Sequence, residues 1–518
     1  MSSATRTYYV TTPIYYVNDS PHIGHAYTSL ACDVLARFLR LDGYKVHFLT
    51  GTDEHGQKVE KAAAAAGRDP KLFTDEVSQR FRDLAVLMDY SNDDFIRTTE
   101  PRHITSCQHL WNAIKANGHI YLGKYAGWYS VRDEAFYAED ELRPGPNNQK
   151  IAPSGAPVEW VEEPSYFFDL SKWQDRLLKF YDENPDFIAP ESRRNEVVSF
   201  VKNGLQDLSV SRTSFKWGVP VPNDPAHIMY VWLDALTNYI TAAGYPETDS
   251  PMYRTFWPAA LHMVGKDIVR FHAVYWPAFL MAAGVAPPRR VFAHGWWTNE
   301  GQKISKSLGN VIDPIQLVEK YGLDQVRYFL LREVPFGNDG DFSHTAMVRR
   351  SNADLANDYG NLVQRVLSMI NRNCAAKVPA NGALNDKDRA FIGQTDVVLR
   401  DMRTHVQRQE FHLALDRHAE VVAAANRYVD EQAPWTLKKT DPARMEAVLY
   451  TLAETIRRLA VLSQPFMPRA SARILDQLTV PASTRDFAIA FGPAAALSPG
   501  TELPAPNPIF PRYVETAA

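Results

Sequence analysis

Two histidines and two lysines, far apart in the chain, have the types and spacing to handle a polyphosphate. His22 and His25 flank Gly24 in Pro21-His22-Ile23-Gly24-His25, and Lys303 and Lys306 stand in Lys303-Ile304-Ser305-Lys306-Ser307. Imidazole N–H groups donate to phosphate oxygens, and two ammonium groups on one loop can stabilise charge on a leaving phosphate. Gly24 would let a flat purine come close to the backbone. Each motif alone could be something plainer, a helix start with surface histidines or a solvated basic turn. Together, in this order, they point to a nucleotide site.

The elements that must position these groups are legible around them. Residues 6–12 are rich in Tyr, Val and Thr, as a buried strand requires, and residues 23–41 carry apolar side chains at helical spacing. The first motif therefore sits where a strand feeds a helix, and the helix start should offer unpaired backbone N–H groups and the positive end of its dipole to phosphate. The second motif lies among Gly301, Ser305, Ser307 and Gly309, which predicts a mobile loop. Residues 45–50 read as the next strand. It ends in the polar cluster Gly51-Thr52-Asp53-Glu54-His55-Gly56, at the carboxyl edge where such sheets bind ligands.

Composition bounds the rest. The chain has 518 residues, 45% hydrophobic and 22% charged, enough for three or four domains. No apolar stretch approaches the ~20 residues that cross a bilayer. Strand-like sequence begins by residue 7, which leaves no room for a signal or transit peptide. Cys32, Cys107 and Cys374 are too scattered for a disulfide framework or a metal cluster, and a reducing cytoplasm is the expected setting. With 56 basic and 60 acidic residues the net charge is −4, so any contact with nucleic acid must be local.

A strand and helix rhythm over residues 1–117, with crossover helices at 59–66 and 73–88, fits half of a parallel doubly wound sheet. Residues 118–225 disperse Gly, Pro and aromatics and read as an insertion that splits this fold. From residue 226 the strand pattern resumes in Met229 to Ala235, Ala260 to Asp267 and Val291 to Gly295, each expected as a further central strand with its tip at the same crevice. Residues 226–290 are read as the second half of the catalytic domain and 291–350 as a signature-loop region. Residues 351–480 carry helical apolar stripes and read as a bundle. Residues 481–518 are rich in Pro and should run extended.

The whole chain resembles the methionyl-tRNA synthetases, class I aminoacyl-tRNA synthetases of bacterial type. Besides the two signatures the resemblance rests on Tyr230-Val231-Trp232-Leu233-Asp234-Ala235, Gly265-Lys266-Asp267-Ile268 and Asp430-Glu431-Gln432-Ala433-Pro434-Trp435. Ile304 replaces the Met common in the second signature. The resemblance implies an α/β fold, a Rossmann-like sheet split by an insertion and followed by an all-α anticodon-binding domain. It implies ATP-dependent ligation of L-methionine to initiator and elongator tRNA(Met) through methionyl-adenylate.

The same resemblance implies the site residues. His22, His25, Lys303 and Lys306 carry the catalysis, and His22, Gly24, His25, Gly265, Asp267, His294, Gly295, Lys303, Ser305 and Lys306 bind ATP, with Asp267 on the ribose. Asp53 holds the methionine ammonium. Ile14, Tyr16, Trp232, Ala235, Leu236, Tyr239 and His272 enclose the thioether, where polarizable sulfur packs well against aromatic rings. Leu236 stands where many relatives have Pro. Asn357, Asn361 and Arg365, four apart on one expected helix face, and Trp435 read the CAU anticodon. Magnesium should arrive with ATP and have no protein cage of its own. Many relatives carry Cys-x-x-Cys knuckles in the insertion, but residues 118–225 contain no cysteine, so no structural zinc is expected and no metal-binding residue is assigned. A cytoplasmic monomer without membrane contact is the expected state.

Three other readings remain at this point. A tRNA-binding protein that has lost its chemistry would be expected to lose the phosphate contacts first, and these are intact. A ligase for leucine, valine or isoleucine would need a larger editing insertion. A nucleotidylyltransferase could share the first signature but has no use for the helical domain.

Overall fold

The computed structural model describes residues 6–17, 20–133, 135–146, 149–304 and 309–514. The chain packs as two compact units. One comprises Thr7–Pro21 and His47–His294, and the other Met1–Arg6, His22–Val46 and Gly295–Ala518.

The first unit is built on a seven-stranded sheet. Its order is Ile188–Ala189, Arg290–His294, Ala260–Gly265, Thr7–Thr11, Lys45–Asp53 and Tyr15–Tyr16, with Asp94–Arg97 also paired to Lys45–Asp53. The pairings of Thr7–Thr11 with Ala260–Gly265, of Ala260–Gly265 with Arg290–His294 and of Lys45–Asp53 with Asp94–Arg97 are parallel. Parallel strands must be covered on both faces, which is why they read as continuous apolar runs. The helices Gln57–Ala65, Pro70–Leu87 and Pro101–Ala116 follow in the crossovers. The core gathers Tyr9, Leu49, Ile96, Trp111, Tyr239, Trp257, Val264, Trp276 and Phe279. Within the insertion, Ile120–Ser130 and Glu159–Phe168 form a long antiparallel pair in a four-stranded sheet. His119, at the start of the insertion, is bound to Asp169 at 3.0 Å, and His227, just beyond it, to Ser211 at 2.9 Å.

One expected central strand is different. Strand structure ends at Met229, in a small antiparallel sheet, and Val231–Ala242 is a helix. Almost all of this helix is buried, so its apolar run shows no contrast of faces and looks like a buried strand.

In the second unit the helix Ile23–Leu41 has the expected bounds. It is tied to the helical region by a buried ion pair, Asp33 Oδ2 to Arg327 at 2.7 Å, while Arg327 also donates to the carbonyls of Pro465 and Phe466. A buried pair of this kind holds only if its remaining donors are satisfied, as these carbonyls do. Helices Asp386–Gln407, Phe411–Gln432, Pro442–Ser463 and Pro468–Gln477 form the bundle. The stretch expected to run extended begins instead with 3-10 turns at Ala482–Thr484 and Pro493–Ala495 and a short helix at Phe487–Ala490. Residues 496–514 have little regular structure and are anchored by side chains of the bundle: Arg473 donates to Ile509 O at 2.7 Å and Gln477 to Asn507 O at 3.0 Å. Among the described residues no helix is long and apolar enough to cross a membrane.

Candidate active site

Within the first unit, the assigned amino-acid residues come together at the carboxyl edge of the sheet. Asp53 closes the strand Lys45–Asp53 and pairs in register with Tyr16, and the Tyr16 hydroxyl donates to His55 O at 3.4 Å. Asp53 and Glu54 are neighbouring buried carboxylates with opposite treatment. Glu54 is satisfied by Arg97 at 2.6 and 2.8 Å, by Thr52 at 2.8 Å and by Thr99 at 2.7 Å. Asp53 is only 4% exposed, and its Oδ1 has no hydrogen-bond partner. Burial first, and the charge of Asp234 second, push the Asp53 carboxyl well above the ordinary carboxylate range. A buried acceptor kept open in this way is costly unless a ligand fills it, and its chemistry suits a cation.

Most of the residues expected to enclose the thioether stand on the helix Val231–Ala242. Trp232, Ala235, Leu236 and Tyr239 recur at i, i+3, i+4 and i+7, one helix face. Ile14, Tyr16 and Trp232 are half-buried and pack against the same core. Trp232 stacks on Phe271 with ring centroids 3.7 Å apart, and its indole N–H is a second buried group without a partner. His272 lies in a π-helical turn, Phe271–Tyr275, and accepts from the Tyr239 hydroxyl at 2.6 Å. Behind this wall, His262 stacks on Tyr239 at 3.9 Å, contacts Thr11 Oγ1 at 2.9 Å and accepts from Trp276 Nε1 at 3.2 Å. Burial lowers the pKa of His262, and His272 adds to the effect; burial lowers that of His272 as well, so both imidazoles are held neutral.

Gly265 and His294 are register partners at the tips of their strands, and Asp267 follows in a short 3-10 turn. A Cβ on Gly265 would lie 2.5 Å from Asp267 Oδ1, so only glycine lets that carboxylate sit where it does. Gly295 follows His294 and belongs to the second unit.

In the second unit the first signature forms a cap. Gly24 N–H donates to His22 Nδ1 at 3.1 Å, and His22 N–H donates to His25 Nδ1 at 3.2 Å. Both Nδ1 atoms accept, so in the neutral rings the proton sits on Nε2. Burial lowers the pKa of His22, and burial together with His22 lowers that of His25 further, which keeps both rings neutral donors. The expectation of unpaired N–H groups at this helix start needs correction. The Ile23 N–H donates to Ile312 O at 3.0 Å and that of Gly24 to His22, so these first amides are already paired within the protein. Gly24 has a further reason to be glycine: a Cβ there would come within 2.9 Å of His22 Cε1.

The second signature begins on the hairpin of Trp297–Asn299 with Gln302–Lys303. Lys303 is placed by its backbone; its side chain, and Ser305 and Lys306 entirely, lie outside the described residues.

For the anticodon set, Ser351–Gly360 is π-helical and runs into the α-helix Asn361–Asn373. Asn357 and Asn361 share a groove of about 410 Å³ with Gln364, Pro508 and Phe510. Arg365 is not on that lining; it pairs with Asp430 at 2.9 Å. The expected single face of three is therefore two residues on the groove and one beside it. Trp435 is 49% exposed, placed by the left-handed Ala433 before Pro434 at the start of Pro434–Thr440.

Sequence reasoning missed His55, His103, Cys107, Asp234, His262, Phe271 and Trp276. Asp234 and His262 are titratable residues inside apolar runs, which was the available signal for them, while His55 stands in the polar cluster after Asp53.

Residues 8–367 match the family "tRNA synthetases class I (M)", and residues 378–517 match "Anticodon binding domain of methionyl tRNA ligase". The chain is 60% identical to a methionine–tRNA ligase of Mesorhizobium japonicum over 508 residues, covering 98% of each. It is 58% identical to one of Brucella suis, also over 98% of each chain. Its fold matches Mycobacterium tuberculosis methionyl-tRNA synthetase in complex with methionyl-adenylate with a TM-score of 0.95 and 52% identity, covering 98% of this chain and 100% of that one.

Proposed function

This chain belongs to the methionyl-tRNA synthetase family of class I, and from that premise we propose how its residues divide the ATP-dependent charging of tRNA with methionine. The methionine carboxylate attacks the α-phosphate of ATP, forming methionyl-adenylate and releasing pyrophosphate. A terminal tRNA ribose hydroxyl, the 2′ oxygen in class I enzymes, then takes the methionyl group and AMP leaves. The substrate carboxylate is itself the nucleophile, so the protein contributes positioning and charge stabilisation.

Asp53 receives the methionine ammonium. The observation that carries this reading is its buried, unpartnered Oδ1 next to the chamber of Trp232, Ala235, Leu236, Tyr239 and His272. Ile14 and Tyr16 complete the chamber. An apolar pocket discriminates one methylene by only about 1–3 kcal/mol, so closure around the thioether matters as much as composition. His22 and His25 donate from Nε2 to phosphate oxygens. Lys303 and Lys306, with Ser305, stabilise the transition state and the leaving pyrophosphate. Gly24, Gly265, His294 and Gly295 make room for the nucleoside, and the Asp267 carboxylate accepts from its ribose hydroxyls. Magnesium arrives on the phosphates of ATP.

Asn357, Asn361, Arg365 and Trp435 read the anticodon of initiator and elongator tRNA(Met), a reading supported by the exposed indole and the polar groove. The enzyme works as a cytoplasmic monomer without structural zinc. Calorimetric titration with methionine tests the carrying observation: wild-type protein binds, and Asp53→Asn does not. Equal binding by both would move the ammonium site elsewhere.

A further inference from the structure

Beneath the chamber, the helices Pro101–Ala116 and Val231–Ala242 meet through a buried polar seam. The second helix has two faces at the same spacing: Trp232, Ala235, Leu236 and Tyr239 on one, Asp234, Thr237, Asn238 and Thr241 on the other. His103 and Cys107, one turn apart on the first helix, enter the seam. His103 Nε2 lies 2.7 Å from Asp234 Oδ1 and 3.2 Å from Cys107 Sγ. The other carboxylate oxygen, Oδ2, lies 2.7 Å from His55 Nδ1. All four side chains are buried. Burial disfavours the charged form of Asp234, but His55 and His103 outweigh it and hold the carboxyl well below its ordinary range.

His103, Cys107 and Asp234 also form a donor set of the kind that binds zinc. The spacing argues otherwise. Two ligands at ~2.0–2.1 Å from a tetrahedral ion stand about 3.3 Å apart, whereas His103 and Asp234 are at the hydrogen-bond distance of 2.7 Å.

We propose that Asp234, clamped between His55 and His103, is a positioning residue that holds the Asp53 turn in register with the chamber helix, fixing where the methionine ammonium sits relative to its thioether. The proposal rests on the reading of Asp53 as the ammonium site. His55 is two residues beyond Asp53 on one turn, and Asp234 is on the helix that carries Trp232, Ala235 and Tyr239, so one carboxylate links the two halves of the amino-acid site. Apolar packing would hold these helices at least as well as a buried charge does. What the network adds is direction, since an imidazole on each oxygen pins the carboxylate in one orientation.

The network also acts on charge. The groups that bear on Asp53 are Asp234 on the chamber helix, Glu54 and the His55 amide in its own turn, and Lys58 on Gln57–Ala65. Removing the charge of Asp234 lowers the pH at which Asp53 ionises, a change that a purely structural role would not produce.

The test is methionine-dependent pyrophosphate exchange across pH on Asp234→Asn, His55→Ala and His55→Asn, with zinc content measured on the wild type. Asp234→Asn raises KM for methionine about tenfold or more, as a small misplacement does, leaves KM for ATP nearly unchanged, and moves the onset of methionine use to lower pH. His55→Asn keeps an N–H near the Nδ1 position and recovers most of what His55→Ala loses. A wild-type KM and pH onset in Asp234→Asn, equal loss in the two His55 variants, or stoichiometric zinc would each overturn the proposal. If Asp234→Asn does not fold, the two His55 variants decide. Asp53→Asn runs in parallel: normal methionine use there sinks the ammonium reading itself, while its loss alongside a wild-type Asp234→Asn sinks only the positioning role.

Discussion

Tyr239 donates its phenolic hydrogen to His272 across 2.6 Å, and the far side of the ring fixes the direction of that bond. His272 Nδ1 is 2.9 Å from the Ile268 carbonyl, which can only accept, so Nδ1 carries the proton and Nε2 is the acceptor. Burial pushes the imidazole down to about 4. His272 therefore stays neutral throughout the neutral range.

Tyr239→Phe leaves a buried acceptor without its donor, a loss of about 1–3 kcal/mol. We expect lower stability in urea and a higher KM for methionine, with KM for ATP unchanged. An unaltered KM for methionine would remove Tyr239 from the chamber.

The lowered pKa of His272 also predicts an acid dependence. The unfolded chain binds this proton near pH 6.5 and the folded chain only near about 4, so stability falls as pH drops through that window. His272→Asn flattens that part of the curve, as urea unfolding at several pH values would reveal.

Asp53 behaves in the opposite sense. Its folded pKa is raised, so the native state holds the proton more tightly, and the carboxyl costs stability increasingly as pH rises above about 4. Asp53→Asn should therefore melt higher than wild type at neutral pH, by about 1 °C for each kcal/mol recovered in a chain of 518 residues, while losing methionine-dependent exchange. A lower melting point at neutral pH would contradict the account of an acceptor held open for a ligand.

Gly24→Ala pushes a methyl group to within 2.9 Å of the His22 ring and displaces it from the Gly24 amide. Adenylate formation should slow by at least about tenfold, consistent with the loss of one aligned donor, with the affinity for methionine retained. Wild-type rates in stopped-flow adenylation would show that the cap does not orient His22.

Trp435→Ala and Asn361→Ala separate anticodon reading from chemistry. A stacked base is worth about 1–3 kcal/mol, so tRNA charging should fall by roughly 5- to 150-fold. Pyrophosphate exchange without tRNA should be unaffected. A fall in exchange would mean that these residues serve the fold.

Much of this was legible in the chain. Ile23–Leu41 was readable to the residue because Ile23, Ala26, Tyr27, Leu30, Val34, Leu35 and Phe38 recur at helical spacing over a long segment. Val231–Ala242 was not, because both faces are buried and a run such as Val231-Trp232-Leu233 has no visible period. Asn357, Asn361 and Arg365 looked like one face under an α-helical count, but the π-helical stretch before Asn361 changes the hydrogen-bond step and the ion pair with Asp430 draws Arg365 aside. The clamp on Asp234 joins residues 55, 103 and 234, and only the fold brings such distant positions within hydrogen-bond reach.

The central claim is that this chain activates methionine with ATP. Amino-acid-dependent exchange of labelled pyrophosphate into ATP, run with each of the twenty amino acids and without tRNA, tests it most directly. Exchange with methionine alone, abolished by Asp53→Asn, is the predicted result. Exchange with a different amino acid, or with none in folded protein that still binds tRNA, would contradict it.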